Sequence, residues 1–174
     1  MMLENTKIRL RAIEPQDLKR LYEWENDTAL WSLGNTIVPY SKYVLREFIK
    51  NADKDIFTTK QLRLMIDSKP NNETVGCVDL YDFDVFHQRI ALGILIDKPY
   101  RNKGLAAEAL SLTIDYCFSF LKLKQIYCYI PANNETSVKI FQKCGFSQSG
   151  ILKDWIKTTD GFCDVFIFQK INEQ

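Results

Sequence analysis

Residues Arg89 to Ile130 leave few folds open to this chain. Arg89 to Asp97 (RIALGILID) is almost continuously apolar, the pattern of a central, buried strand. Pro99 ends it, and a short basic turn leads through Gly104 into a long helix that the pattern carries to Leu121. On that helix Ala106, Ala109, Leu110, Thr113, Ile114, Cys117 and Leu121 recur three or four apart on one face. Gln125 to Ile130 (QIYCYI) then reads as another strand. A strand–helix–strand crossover requires parallel strands, so the two crossovers, through Gly104–Leu121 and through Glu135–Cys144, are expected to give locally parallel relations in the sheet.

The flanking segments read mostly as hairpins. Lys7 to Ile13 alternates apolar with basic residues, as a half-buried strand does. Glu14-Pro15 opens a helix through Trp24, and Ser41 caps a second helix with Val44, Leu45, Phe48 and Ile49 on its apolar face. Residues 27–39 between them have no clean period and read as a loop with a short helix. Gln61 to Asp67 and Thr74 to Phe83 are strands joined by the turn cluster Ser68 to Asn72. After a helix from Glu135 to Cys144, Asp160-Gly161 joins two final strands, Phe146 to Lys157 and Phe162 to Ile171, as a hairpin. The order β-α-α-β-β-β-α-β-α-β-β implies an α/β fold with a mixed sheet and helices on both faces.

At 174 residues the chain suits a single domain, 1–174. Lys and Arg number 23 against 22 Asp and Glu, a balance with no global pull toward nucleic acid or an anionic membrane. No stretch approaches the ~20 apolar residues of a membrane span, and no secretory signal opens the chain. Five scattered cysteines without a CxxC, together with a single histidine, point to free thiols in a reducing cytoplasm and to no metal site.

The chemistry concentrates at Ile94 to Ala106 (ILIDKPYRNKGLA). Exposed N–H groups and the positive end of the helix dipole attract phosphate at such a helix start. Gly104 and the small Ala106 let a bulky anion approach the backbone, and Arg101 and Lys103 add positive charge. Neither a Walker A pattern nor GxGxxG is present, so ATP and dinucleotide motifs do not apply.

Arg101-x-x-Gly104-x-Ala106 resembles the pyrophosphate loop of the GNAT superfamily of N-acetyltransferases. Asn134 to Phe146 (NETSVKIFQKCGF) resembles that superfamily's later motif, one helix and one strand downstream. The start (Ile8 to Arg11, Asp17-Leu18) and the tail (Gly150 to Asp154, Asp160-Gly161, Asp164) are similar to its ribosomal-protein N-terminal and spermidine acetyltransferase branch. The resemblance implies a mostly antiparallel twisted sheet of about seven strands, with two central parallel strands that splay apart. It implies acetyl-coenzyme A as cosubstrate and no metal. The pantetheine arm would lie along Leu95 and Ile96, and the pyrophosphate on the amides of Asn102, Lys103, Gly104, Leu105 and Ala106. Arg101, Asn134 and Lys143 would be further cofactor contacts.

Acetyl transfer needs a neutral amine at the thioester carbon. An alkyl amine of pKa ~10.4 is almost wholly protonated at pH 7, whereas an α-amino group near ~7.7–8.0 is less so. The acceptor is therefore expected to be a protein N-terminus, a polyamine or another small amine. Asp79 is the first candidate for base or counter-charge, directly or through a water. His87 is a second candidate beside the acceptor, and Asp82 a third carboxylate on the opposite strand parity from Asp79. Trp31 and Tyr40 are expected to line the acceptor pocket, where Glu23, Glu25 and Asp27 add acidity.

One position departs from the family. Phe141 stands where a tyrosine often returns the proton to the leaving thiolate. Tyr129 and Ser137 are the substitutes the sequence offers. Phe141 also fits the N-terminal branch better than the spermidine enzymes, and it is the sole support for a competing expectation, a coenzyme A-binding domain that has lost turnover. The last hairpin is a candidate surface for homodimer formation.

Overall fold

In the computed structural model residues 2–31 and 36–173 are described, the Asp53 side chain excepted. The part of the predicted loop at 32–35 lies outside the described residues. Seven strands form one sheet: β1 (Ile8–Ala12), β2 (Leu62–Ser68), β3 (Glu73–Asp84), β4 (Arg89–Ile96), β5 (Gln125–Pro131), β6 (Ser147–Thr158) and β7 (Gly161–Ile171). Their spatial order is β1-β2-β3-β4-β5-β7-β6. All neighbours are antiparallel except β4 and β5.

The parallel pair is short. β4 and β5 are in register only at Arg89↔Gln125, Ile90↔Ile126 and Ala91↔Tyr127. Beyond Ala91 the two strands part, and β4 keeps its pairing with β3 alone as far as Ile96. A wedge therefore opens in the middle of the sheet. The second crossover also gives parallel directions, but β7 inserts between β5 and β6, so those two strands never touch.

Helices α1 (Leu18–Glu25), α2 (Thr28–Trp31), α3 (Lys42–Lys50) and α4 (Ile56–Thr59) precede β2, while α5 (Leu105–Asp115) and α6 (Glu135–Lys143) flank β5 in sequence. Strand alternation sorts the side chains to two faces. Leu64, Ile66, Val78, Leu80, Ile90 and Leu92 pack with Ala109 and Leu110 of α5 and Phe141 of α6. Met65, Cys77 and Leu95 pack with Leu21, Trp24 and Leu45 of α1 and α3. At roughly 1.5–3 kcal/mol for each buried aliphatic or aromatic side chain, these two clusters supply most of the drive to this arrangement.

Local signals set the helix ends. Ser41 Oγ accepts the Val44 N–H at 3.2 Å, as a cap should. Asp55 caps α4 through the N–H groups of Phe57 and Thr58, a short helix that the sequence pattern did not single out. The long helix expected to reach Leu121 is regular only to Asp115. Tyr116–Phe120 then widen into a π turn, with the Leu121 N–H reaching the Tyr116 carbonyl at 3.0 Å.

Candidate active site

The wedge between β4 and β5 is part of a cleft of about 1250 Å³ that reaches both faces of the sheet. One end is built from backbone and helix termini. Asp97 caps the short 3-10 turn Lys98–Tyr100, and its side chain accepts the Lys98 N–H at 2.8 Å. Arg101 Nε donates to the Ile96 carbonyl at 2.9 Å, tying the loop back to the end of β4. Asn102 (φ 61°) and Gly104 (φ 77°) are both left-handed, and they swing the chain into α5. Gly104 is the N-cap, and a Cβ built there would meet nothing within 4 Å, so its surroundings are open. The first amides of α5 consequently face the cleft without side-chain cover.

The floor of this end is held rigidly. Gly76 on β3 lies opposite Ile96, and any Cβ there would run into the Leu95 carbonyl. Glycine thus permits the close approach of β3 to β4 that fixes the Leu95–Ile96 backbone. From α6, Asn134 Oδ1 caps the helix by accepting the Ser137 N–H at 3.2 Å, which leaves its NH₂ group for a ligand. Lys143 also lines the cleft, in the last turn of α6.

The other end is built from side chains. Asp79 on β3 stands directly opposite Arg63 on β2 and opposite Gly93 on β4, two residues past the last β4–β5 pair. Arg63 Nε and Nη2 donate to the two Asp79 oxygens, the latter at 2.9 Å, and Arg63 Nη1 donates to Glu25 Oε1 at 2.6 Å. The guanidinium also lies 5.3 Å from the Phe48 ring centre of α3. Burial opposes its charge, but Asp79 and Glu25 more than offset that and hold it well above its ordinary value. Trp31 donates its indole N–H to the Glu25 carbonyl at 2.8 Å. Asn26 clamps Tyr40 at both backbone groups, accepting its N–H at 2.9 Å and donating to its carbonyl at 3.1 Å. Trp31, Tyr40, Glu25, Arg63 and Asp79 thereby share one wall system.

Tyr129 and Ser137 both line the cleft. Tyr129 is 45% exposed and packs edge-on against Tyr127. Phe141 is 3% exposed and packs edge-on against Phe146, as a core residue whose ring also touches the cleft. Cys77 and Cys128 line it too, but burial pushes the Cys128 thiol up to about 12 and the Cys77 thiol higher. Both stay protonated near neutral pH and are poor nucleophiles. Neither thiol is poised to take the acyl group first, an arrangement suited to direct attack of an amine on the thioester.

Several expected residues sit elsewhere. Lys103 is not among the lining residues, and its ammonium lies 5.3 Å from the Tyr100 ring centre. Asp82 (φ 51°) is exposed at an irregularity of β3, and His87 sits in the β3–β4 turn against Phe86. Both lie toward the closed end of the wedge and do not line the cleft. Arg63 and Asn26 were missed. Arg63 had a signal: an arginine flanked by Leu62, Leu64, Met65 and Ile66 in a strand needs a carboxylate partner nearby. Asn26 had none, because its contacts with Tyr40 are to backbone groups fourteen residues away. Among the described residues no group of three or more His, Cys, Asp or Glu could hold a metal ion, and no helix is long and apolar enough to cross a membrane.

Comparison with known proteins agrees with this geometry. Residues 7–147 match the family model for the acetyltransferase (GNAT) domain. The chain belongs to the GNAT acetyltransferases. It is 30% identical over 145 residues to the spermidine N(1)-acetyltransferase of Escherichia coli (strain K12), covering 83% of this chain and 75% of that enzyme. It is 27% identical over 148 residues to the spermidine N(1)-acetyltransferase of Vibrio cholerae, covering 85% and 83%. A crystal structure of the spermidine N-acetyltransferase from Vibrio cholerae, in complex with CoA and spermine, has the same fold, with a TM-score of 0.86 over 96% of both chains at 24% identity. As a GNAT member the chain is an acetyl-CoA-dependent N-acetyltransferase that acts on an amine.

Proposed function

We propose that this GNAT acetyltransferase acetylates a polyamine of the spermidine class. The observation that carries the reading is the acidic excess at the side-chain end of the cleft, where Glu25 and Asp79 share the single cation Arg63. A cationic acceptor suits that excess better than a neutral one. Phe141 pulls toward the N-terminal branch, and similarity to the Escherichia coli spermidine enzyme pulls back toward polyamines.

The donor's diphosphate sits on the amides of residues 102–106, with Arg101 and Lys143 as its cations. Its amide-bearing tether pairs with the edge of β4 at Leu95 and Ile96, which β5 leaves open. The Asn134 amide contacts the same tether. These features fit a long ligand with an anionic end and a strand-like arm.

The acceptor enters past Trp31 and Tyr40, and Asp79 serves as its counter-charge. The amine gives up a proton through water before its lone pair attacks the carbonyl carbon. The nitrogen that has attacked gives up a second proton, also to water, and the C–S bond breaks with sulfur keeping the electron pair. Tyr129 returns a proton to the thiolate, and its exposure lets it recover one from solvent. Ser137 is the second hydroxyl within the cleft. Five free cysteines suit a cytoplasmic enzyme. The β6–β7 hairpin, with Trp155 and Phe162 exposed, is the face assigned to self-association.

The test is thiol release from acetyl-CoA with a panel of spermidine, simple monoamines and short peptides. Spermidine should give the highest kcat/KM, and a peptide preference would overturn the acceptor assignment. Gly104→Glu should lower CoA affinity more than about 100-fold, through like charge and bulk at the diphosphate, at a cost of only about 1 kcal/mol for the left-handed backbone. Gly104→Asn, which tolerates that backbone, should keep affinity within about ten-fold. Normal CoA binding by Gly104→Glu would overturn the loop assignment.

A further inference from the structure

We propose that Arg63 is the positioning residue of the acceptor site: by gripping both Asp79 oxygens, it makes that carboxylate a stationary counter-charge that selects acceptors by their number of positive charges. The proposal rests on the acetyltransferase reading above. Three elements immobilise Arg63. It pairs with Asp79 across β2 and β3, with Glu25 at the end of α1, and with the Phe48 ring on α3. A guanidinium in two-pronged contact sets the plane as well as the place of its carboxylate.

The cluster has one guanidinium for two carboxylates, an excess of one negative charge. Its acceptor capacity is also unfilled. Among the described residues Arg63 alone donates to the Asp79 and Glu25 carboxylates, whereas an ionised carboxylate offers about four lone-pair sites. Asp79 keeps 32% of its side chain accessible and faces the cleft beside Gly93, where β4 has left β5. The open lone pairs are therefore available to a cation next to the wedge. Arg63 occupies one side of both Asp79 oxygens, which leaves the proton of the amine to depart through water.

The experiment compares spermidine with n-butylamine, as kcat/KM and as binding to the CoA-loaded enzyme by calorimetry. Asp79→Asn and Arg63→Gln should each lower the spermidine-to-butylamine ratio about ten-fold while KM for acetyl-CoA stays within two-fold. The double variant should be no worse than the poorer single one, because Arg63 acts on the acceptor only through the placement of Asp79. Arg63→Lys, charged but unable to grip two oxygens, should lose about three-fold, and it decides the matter alone if Arg63→Gln does not fold. An unchanged or increased ratio in the Arg63 variants would overturn the proposal, as would losses that add in the double variant. Calorimetry keeps this separate from the acceptor reading: an enzyme that turned over peptides instead would still report whether Arg63 governs affinity for the multiply charged amine.

Discussion

The part-buried Arg11 and Arg63 each bridge a pair of carboxylates, and the two clusters are finished differently. Arg11 on β1 joins Asp17 to Asp67 on β2. Asp67 accepts further hydrogen bonds from Arg9 and Thr74, and Asp17 accepts the Glu14 N–H. Each carboxylate of that cluster accepts three hydrogen bonds from within the chain, and the cluster lies outside the cleft. Arg63 joins Glu25 to Asp79 with the same chemistry, yet nothing else among the described residues donates to either carboxylate. A saturated network serves the fold, and an unsaturated one on a cleft wall has capacity left for a ligand.

The largest contrast should come from removing each arginine's charge in turn. Arg11→Met strands Asp17 and Asp67, whose side chains are 4% and 9% exposed. Breaking a buried ion pair from one side costs roughly 3–5 kcal/mol, and the remaining donors favour the lower figure. Urea unfolding should therefore show a loss of about 3 kcal/mol, while KM for both substrates stays as in the parent protein. A change in acceptor KM without loss of stability would erase the distinction between the clusters.

Substituting the carboxylates gives a smaller and more pointed test. Asp67→Asn removes charge-assisted hydrogen bonds to Arg9 and Arg11 and should cost about 2 kcal/mol. Asp79→Asn should cost under about 1 kcal/mol, since the group is part-exposed and Glu25 still pairs with Arg63. Equal costs in thermal or urea unfolding would mean that Asp79 is as structural as Asp67.

The same difference explains what was legible in the sequence. The cofactor end of the cleft lies in two short contiguous stretches, so a strand running into Arg101-x-x-Gly104 and an N-cap at Asn134 could be read locally. Hairpins at Ser68 to Asn72 and Asp160-Gly161 were legible for the same reason, as turn chemistry is local. The acceptor end depends on contacts between Glu25, Arg63 and Asp79, which meet only after β2 has paired with β3 and α1 has docked on them. No period or spacing encodes that meeting. The insertion of β7 between β5 and β6 is a long-range pairing choice of the same kind. The π turn at Tyr116–Phe120 was hidden differently, because its apolar residues continue the helical stripe while the backbone does not.

The smallest expected effect is on acid stability, and it belongs to the filled cluster. Burial alone would push the Asp67 carboxyl up, yet hydrogen bonds from Arg11, Thr74 and Arg9 more than offset this and leave it below the ordinary range. A group whose folded pKa lies below its unfolded value, ~3.9 for Asp, stabilises the protein fully above that value. The contribution then fades as pH falls through the lower folded pKa. Surface carboxylates are lowered as well, Asp27 by Lys98, Asp84 by the His87 N–H and Asp164 by Lys153, but these are common to every variant. The difference between parent and Asp67→Asn therefore isolates this one group. Urea midpoints measured from pH 6 to pH 3 should converge between the two proteins below about pH 4, the parent falling more steeply. Parallel curves over that range would show that Asp67 titrates alike in the folded and unfolded chains, and that Arg11 holds it by position and not by charge.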